Sequence, residues 1–264
     1  MNIIVCVKQV PGTNEVRMNK ETNTIIREGV EAIINPFDTY AVEEAVRLKE
    51  RFGGKVTAMS MGIPAVAELL KETVALGVDD TVLLSDRAFA GADTLATAYA
   101  LSMGVKKIGE YDLIICGKQA TDGDTAQVGP SLAEKLGIPH TTYVRKIEEI
   151  GDGLIRCQRM TDDGYEVIEL SLPAVITVVK EIAEPRLPSL KGMMRAKKTQ
   201  VAVWTADDIG ADKELCGLKG SPTQVITTFV PVHDVKSEMI GGEPDEQAKR
   251  LAEMLLAMQF ETGA

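Results

Sequence analysis

The residues best suited to chemistry lie in one loop, Gly117-Lys118-Gln119-Ala120-Thr121-Asp122-Gly123-Asp124-Thr125-Ala126-Gln127-Val128-Gly129, which follows the apolar run 112–116. Gly123 and the segment Thr125-Ala126-Gln127, read as opening a helix over 125–136, offer free backbone N–H groups to an anion. Thr125 can cap the helix or bind phosphate. Asp122 or Asp124 can accept from a ribose or a base edge. A nucleotide site and a capped surface turn both fit this composition. The loop is not a phosphate-binding G-x-x-x-x-G-K-[ST] loop, and the chain contains neither G-x-G-x-x-G nor G-x-S-x-G. These absences weigh against ATPase, dinucleotide dehydrogenase and hydrolase chemistry. The paired acids Asp79-Asp80, Asp162-Asp163 and Asp207-Asp208 adjoin turn residues and read as solvated turns.

A second segment, 180–198, carries Lys180, Arg186, Lys191, Arg195, Lys197 and Lys198 against Glu181 and Glu184, a surplus of +4 in a chain of net charge −10. Leu187, Leu190, Met193 and Met194 are interleaved with these charges. Cations with apolar knobs suit docking onto an acidic partner; a helix with a solvated basic face is the plainer alternative.

The elements that must position these residues follow a simple rhythm. The run 3–7 (IIVCV) is a buried strand ahead of the Pro11-Gly12 turn. Residues 15–19 and 24–28 flank a polar turn and read as a hairpin. Asp38 is a plausible N-cap for a helix whose apolar face is Ala41, Val42, Ala45, Val46 and Leu48. Strands at 55–61, 81–84 and 112–116 then alternate with helices at 64–76, 93–108 and 125–136. This pattern predicts an α/β fold, an open doubly wound and mostly parallel sheet. After Pro139, strand-like runs at 141–149, 153–160, 165–170 and 174–180 look like antiparallel additions to the sheet edge or a small second sheet. A short basic helix, a strand candidate at 224–230 and a last helix at about 245–258 complete the chain. Residues 1–233 read as the α/β domain and 234–264 as a C-terminal arm with seven acids and three bases.

Composition limits the remaining choices. A chain of 264 residues with 39 acidic and 29 basic residues does not suit nucleic acid or an anionic membrane surface. Two histidines, His140 and His233, supply a metal site poorly, and the cysteines at 6, 116, 157 and 216 fit no zinc or disulfide framework. They read as buried reduced thiols. The N-terminus lacks the marks of a signal peptide, and no apolar run approaches the roughly 18 residues of a membrane span. The expectation is a cytoplasmic protein without membrane insertion.

VCVKQVPGT, NPFDTYAVEEAVRLKE, MSMGIPAVAELLKETVALGVDD, CGKQATDGDTAQVGP, DDGYEV, LPAVITVV and EPRLPSLKGMMRAKK together resemble the beta subunit of electron-transfer flavoprotein over nearly the whole chain. The resemblance implies an adenine-nucleotide-binding α/β domain, paired with an alpha subunit whose contact the C-terminal arm provides. In ordinary members the beta pocket holds AMP. In a bifurcating subgroup it holds a second FAD, which takes a hydride from NADH. One electron then goes to ferredoxin or flavodoxin, the other through the alpha-subunit FAD to an acyl-CoA dehydrogenase. Ala126 and Val128 stand where AMP-type members usually have Asn and Thr, and the smaller side chains resemble the bifurcating version. The implied nucleotide contacts are Cys6, Asn35, Pro36, Phe37, Asp38, Met61 and the run Gly117 through Val128. The implied docking residues are Glu184, Pro185, Arg186, Leu187, Leu190, Lys191, Met194, Arg195 and Lys197, with Leu190 as the hydrophobic anchor. Lys8 and Arg87 are cations that would favour reduced flavin. The alternatives are the ordinary AMP subunit and a stand-alone nucleotide-binding stress-type module.

Overall fold

The computed structural model describes residues 1–12, 17–19, 24–26, 31–227 and 237–257. Its elements in chain order are β1 (Asn2–Cys6), β2 (Gln9–Pro11), β3 (Arg17–Asn19), β4 (Thr24–Ile26), β5 (Ala32–Ile34), α1 (Pro36–Phe52), β6 (Lys55–Met61), α2 (Val66–Leu76), β7 (Asp80–Leu84), α3 (Thr94–Ile108), β8 (Leu113–Gly117), α4 (Val128–Leu136), β9 (His140–Gly151), β10 (Leu154–Thr161), β11 (Gly164–Ser171), β12 (Ala174–Val178), α5 (Leu190–Lys198), β13 (Ala202–Trp204) and α6 (Pro244–Ala257). Two compact units are present, Met1–Ile226 and Thr227–Ala264.

The first unit is built on a nine-stranded sheet of order β11-β10-β9-β12-β8-β1-β6-β7-β13. Strand β1 lies between β6 and β8 and is parallel to both. The short run NIIVC buries both faces, as a central parallel strand must. Ile3 and Val5 enter one core with Ala41, Val42 and Ala45 of α1 and Leu70 of α2. Ile4 and Cys6 enter the other with Leu101 and Val105 of α3 and Leu132 of α4. Alternate residues of one strand thus feed two cores, and helices cover both sheet faces. Each fully buried Leu or Ile contributes about 1.5–3 kcal/mol. From β1 the chain winds outward through β6 and β7, then crosses back to β8 on the other side. Strands β1 and β8 therefore flank the point where winding reverses, and in open α/β sheets such points hold the ligand.

Several expectations change. The run 174–180 is no antiparallel addition: β12 lies inside the sheet, parallel to β8 and to β9. Its sequence AVITV is buried at every position, as an interior strand requires. Only β10 and β11 are antiparallel additions to this sheet. Asp38 does not cap α1; Asn35 precedes it and Pro36 takes the first helical position, where its missing N–H costs nothing. Helix α4 begins at Val128, not 125, because Asp124 and Ala126 adopt positive φ, 54° each, which cannot continue a right-handed helix. The hairpin is present as β3 paired with β4. Residues 224–227 form no strand, and the rest of the candidate at 224–230 lies outside the described residues. The edge strand is instead β13, pairing with β7 through three residues, too short a run to stand out from its loop.

In the second unit α6 carries Asp245 and Glu246 in its first turn, where they complement the helix dipole.

Candidate functional site

The crevice begins where β1 and β8 stop pairing. Asp38, on the first turn of α1, lies between the two strand ends, and its Oδ2 accepts from Lys8 N–H at 2.7 Å. A Cβ at Gly117 would collide with Asp38 Oδ1 and the Phe37 backbone, so only glycine ends β8 here. Asp38 is buried, and desolvation pushes its pKa up to about 7 despite hydrogen bonds from Asn35, Lys8 and Gly117 and the charge of Lys8. Asn35, also buried, works as a clasp: Nδ2 donates to Gln119 O at 2.8 Å, and Oδ1 accepts from Thr121 N–H at 3.1 Å. The loop between β8 and α4 is thereby fixed to the start of α1.

Above the clasp the loop is more open. Asp124 N–H donates to Ala120 O at 2.8 Å, and Gln119 bonds the Asp124 carboxylate. Lys8 Nζ meets Asp122 Oδ1 at 2.6 Å, tying the exit of β1 to the loop. Among the described residues the N–H groups of Gly123, Thr125 and Ala126 have no acceptor. Gln127 precedes α4 without a side-chain cap, and Thr125 does not cap it. Gly129 lets α4 approach β12, since a Cβ there would meet the Thr177 methyl.

The structure therefore brings together Cys6, Asn35, Pro36, Phe37, Asp38 and Gly117 through Thr121 around the β1 and β8 ends. Met61 ends the adjacent β6, and Asp122 through Gln127 arch above. Arg87 lies in the turn after β7, two strands from β1. Cys6 and Cys116 are register partners, and their mutual contact together with burial keeps the Cys116 thiol well above its usual pKa. All four cysteines are free and buried.

Beside this crevice lies a cavity of about 680 Å³, with Phe37, Lys118, Tyr143, Arg159, Met160 and Lys180 in its wall. The Lys118 ammonium stands 5.4 Å from the Phe37 ring and 5.1 Å from that of Tyr143. Tyr143 and Arg159 escape sequence reasoning, since neither stands out in an alternating strand. Both sit where the strand pairing slips beside this cavity.

The segment 184–198 has a different construction. Arg186 fits its guanidinium fork onto two carboxylates of α1: Nε and Nη2 reach Glu43 at 2.8 and 3.0 Å, Nη1 and Nη2 reach Glu50 at 2.6 and 3.0 Å. Its backbone N–H also donates to Glu43 at 3.1 Å. These bonds hold the guanidinium pKa above its ordinary value and the Glu50 carboxyl below its own. Arg195 Nη2 donates to Val74 O at 2.9 Å and also to Val78 O, closing the end of α2. Ser189 caps α5 by accepting from Gly192 N–H at 3.0 Å. Leu187, Leu190 and Met194 point outward at 89%, 78% and 62% exposure, and Glu184, Lys191 and Lys197 are exposed beside them. Pro185 is half-buried at the base.

Comparison with known proteins gives this arrangement its family. The electron transfer flavoprotein domain matches residues 22–209. A protein of Thermoanaerobacterium thermosaccharolyticum named electron transfer flavoprotein subunit beta is 53% identical over 257 residues, 97% of this chain and 98% of that protein. The chain belongs to the electron transfer flavoprotein beta-subunit family. Subunit CarD of the caffeyl-CoA reductase–Etf complex of Acetobacterium woodii is 49% identical over 92% of both chains. Protein FixA of Azotobacter vinelandii is 44% identical over 98% of this chain and 95% of its own. Beta subunits of electron transfer flavoproteins pair with an alpha subunit, so the stand-alone stress-type module is set aside.

The residues present fit a flavin nucleotide. The open N–H groups suit phosphates, and the cavity at Phe37 and Lys118 offers aromatic walls and cationic charge. Arg159 adds a buried Nε without a partner among the described residues. No group of three His, Cys, Asp or Glu suited to a metal occurs among the described residues, and none of the described helices is long and apolar enough to cross a membrane.

Proposed function

We propose that this chain is the beta subunit of a cytoplasmic, bifurcating electron transfer flavoprotein. On this reading its crevice holds FAD, NADH is the electron donor, and the acceptors are ferredoxin or flavodoxin and, through the alpha-subunit FAD, an acyl-CoA dehydrogenase. The carrying observation is that a cavity of about 680 Å³ lies beside the crevice, with Phe37 of α1 and Lys118 of the loop in its wall, room that AMP does not require. The likeness to a subunit of a caffeyl-CoA reductase–Etf complex supports a partner acting on CoA thioesters.

Bound FAD would supply the redox chemistry, accepting a hydride and releasing electrons singly. The chain's own task is binding and tuning. Cys6, Pro36 and Met61 would border its adenosine part. Asn35 fixes the loop through Gln119 and Thr121, and the N–H groups of Gly123, Thr125 and Ala126 would hold the diphosphate. Lys8 keeps Asp122 in place and sets a positive charge at the strand exit. Leu187, Leu190 and Met194 are the apolar contacts offered to the dehydrogenase, and α6 is the element offered to the alpha subunit.

Purification of the heterodimer, followed by release of its nucleotides, tests this. Two FAD per heterodimer, both reduced on adding NADH, support the proposal. One FAD and one AMP overturn it in favour of the ordinary subunit.

A further inference from the structure

We infer that Asp38 is a proton site coupled to the crevice: its carboxyl takes up a proton from solvent when a nucleotide fills the ends of β1 and β8, so the nucleotide is held more tightly on the acid side of neutrality. This rests on the reading that FAD occupies the beta subunit. It gives a task to a buried carboxyl that neither bonds the nucleotide nor carries electrons.

Asp38 stands where a further rung of the sheet would lie. Strands β1 and β8 pair as far as Cys6 and Cys116. Beyond that pair Asp38 Oδ2 accepts from Lys8 N–H at 2.7 Å, and Gly117 N–H donates to the same carboxyl. Asn35 bonds it from the chain ahead of α1. The missing side chain at Gly117 lets Oδ1 lie against that strand end. The acceptor positions are largely spent on the protein itself, so a nucleotide laid across the strand ends covers this carboxyl without bonding to it.

The carboxyl is buried without an ion pair of its own among the described residues. The nearest cation, the Lys8 ammonium, is turned to Asp122 at 2.6 Å. The Lys118 ammonium stands over the Phe37 and Tyr143 rings. From β8 the Cys116 thiol faces Asp38, and the Cys6 thiol of β1 adjoins it. On α1 the next acid is Glu43, more than a turn away and taken by Arg186. Burial therefore outweighs the hydrogen bonds and the field of Lys8, and the carboxyl keeps its proton up to about pH 7.

A nucleotide shifts this balance in one direction. It takes water away from the strand ends and brings phosphate charges to the loop whose N–H groups are open. Both penalise the carboxylate, and the phosphates also draw on the field of Lys8. The filled crevice therefore holds the proton more tightly than the empty one. Binding takes up a proton wherever the empty site is ionised, and affinity is full on the acid side and falls as pH rises through about 7. The proton comes from water or buffer and returns there when the nucleotide leaves. Only the O–H bond of Asp38 is made and broken.

The test uses the heterodimer stripped of the beta-site nucleotide and titrated with FAD by calorimetry in buffers of different ionisation enthalpy. FAD is the suitable probe because its diphosphate is esterified at both ends, whereas the monoester of AMP itself titrates at about pH 6. Wild type is expected to take up about half a proton per FAD at pH 7, and to bind FAD about fivefold more weakly at pH 8 than at pH 7. Asp38→Asn should exchange no proton and show a flat affinity over that range. Lys8→Gln leaves the buried carboxyl in place and removes its nearest cation, so the fall in affinity should move to higher pH. The inference is overturned if wild type binds FAD without proton uptake, or if uptake persists in Asp38→Asn. Proton release overturns it too, by making Asp38 a direct acceptor from the nucleotide. Should Asp38→Asn fail to fold, an unmoved pH profile in Lys8→Gln overturns it. A wild-type heterodimer that binds AMP and refuses FAD overturns the underlying reading itself, before any variant is made.

Discussion

The crevice loop Gly117–Gln127 and the segment Glu184–Lys198, proposed above to dock a partner, both hold charged side chains at the surface, and they use them in opposite ways. In Glu184–Lys198 the two arginine guanidiniums bond back to the fold. Arg186 is matched to Glu43 and Glu50, and Arg195 to the carbonyls of Val74 in α2 and Val78 beyond it, so the surplus of six cations over two carboxylates in 180–198 overstates what is offered outward. What faces solvent is Leu187, Leu190 and Met194 with a rim of lysines. The crevice loop has one clasp at Asn35 and one exposed ion pair at Lys8, and several N–H groups have no acceptor among the described residues. A surface that meets a folded partner gains from being held rigid beforehand, whereas a surface that wraps a small anion must keep its donors free.

The largest expected effect is at Arg186. Arg186→Ala strands the buried Glu43 carboxylate, and removing one partner of such a pair costs about 3–5 kcal/mol. Chemical denaturation of the heterodimer measures this. Arg186→Lys should recover only part, since an ammonium cannot bridge two carboxylates. An unchanged midpoint would mean that the segment is not held from below.

Asp38 tests the crevice side. Its folded pKa of about 7 lies above the ordinary 3.8, so the folded state holds the proton more tightly than the unfolded chain. The contribution is full below pH about 4 and is lost as pH rises through 7, by at most about 4 kcal/mol over that shift. Stability measured from pH 4 to 8 should fall more steeply for wild type than for Asp38→Asn. Parallel curves would sink the assignment.

Leu190→Ala removes an exposed knob, so folding and flavin content should not change. Electron delivery to the dehydrogenase should weaken about tenfold in KM, a moderate hot-spot loss. Equal rates would remove the docking role. The smallest effect belongs to Lys8→Gln, because exposed ion pairs contribute about 0–1 kcal/mol. Its melting temperature should stay within error of wild type, and a large drop would show that the loop depends on this strap.

Much of this was legible in the sequence. The period-3.6 face of α1, the short apolar β1 and β8, and the loop between β8 and α4 all stand where local pattern puts them. Glu43 and Glu50, seven residues apart on one helix, share a face, but their partner lies 143 residues from Glu43. No local pattern reports such a match. The insertion of β12 beside β8 was hidden for the same reason, as adjacency depends on pairing across the chain. Tyr143 was hidden differently: a bulge leaves no mark in an alternating strand, and its backbone is set by mismatched registers on both sides. The start of α4 was misplaced because two non-glycine residues accept positive φ, which composition alone argues against.

The position of β1 carries a consequence for how the protein is made. Strand β1 gains its partner on one side only when β8 is present, since Asn2 N–H reaches the Asp112 carboxylate across 110 residues. Contacts so distant in sequence slow folding. The crevice floor therefore comes into being only once β8 is synthesised, and a nascent chain shorter than that exposes an apolar strand edge and has no site to fill.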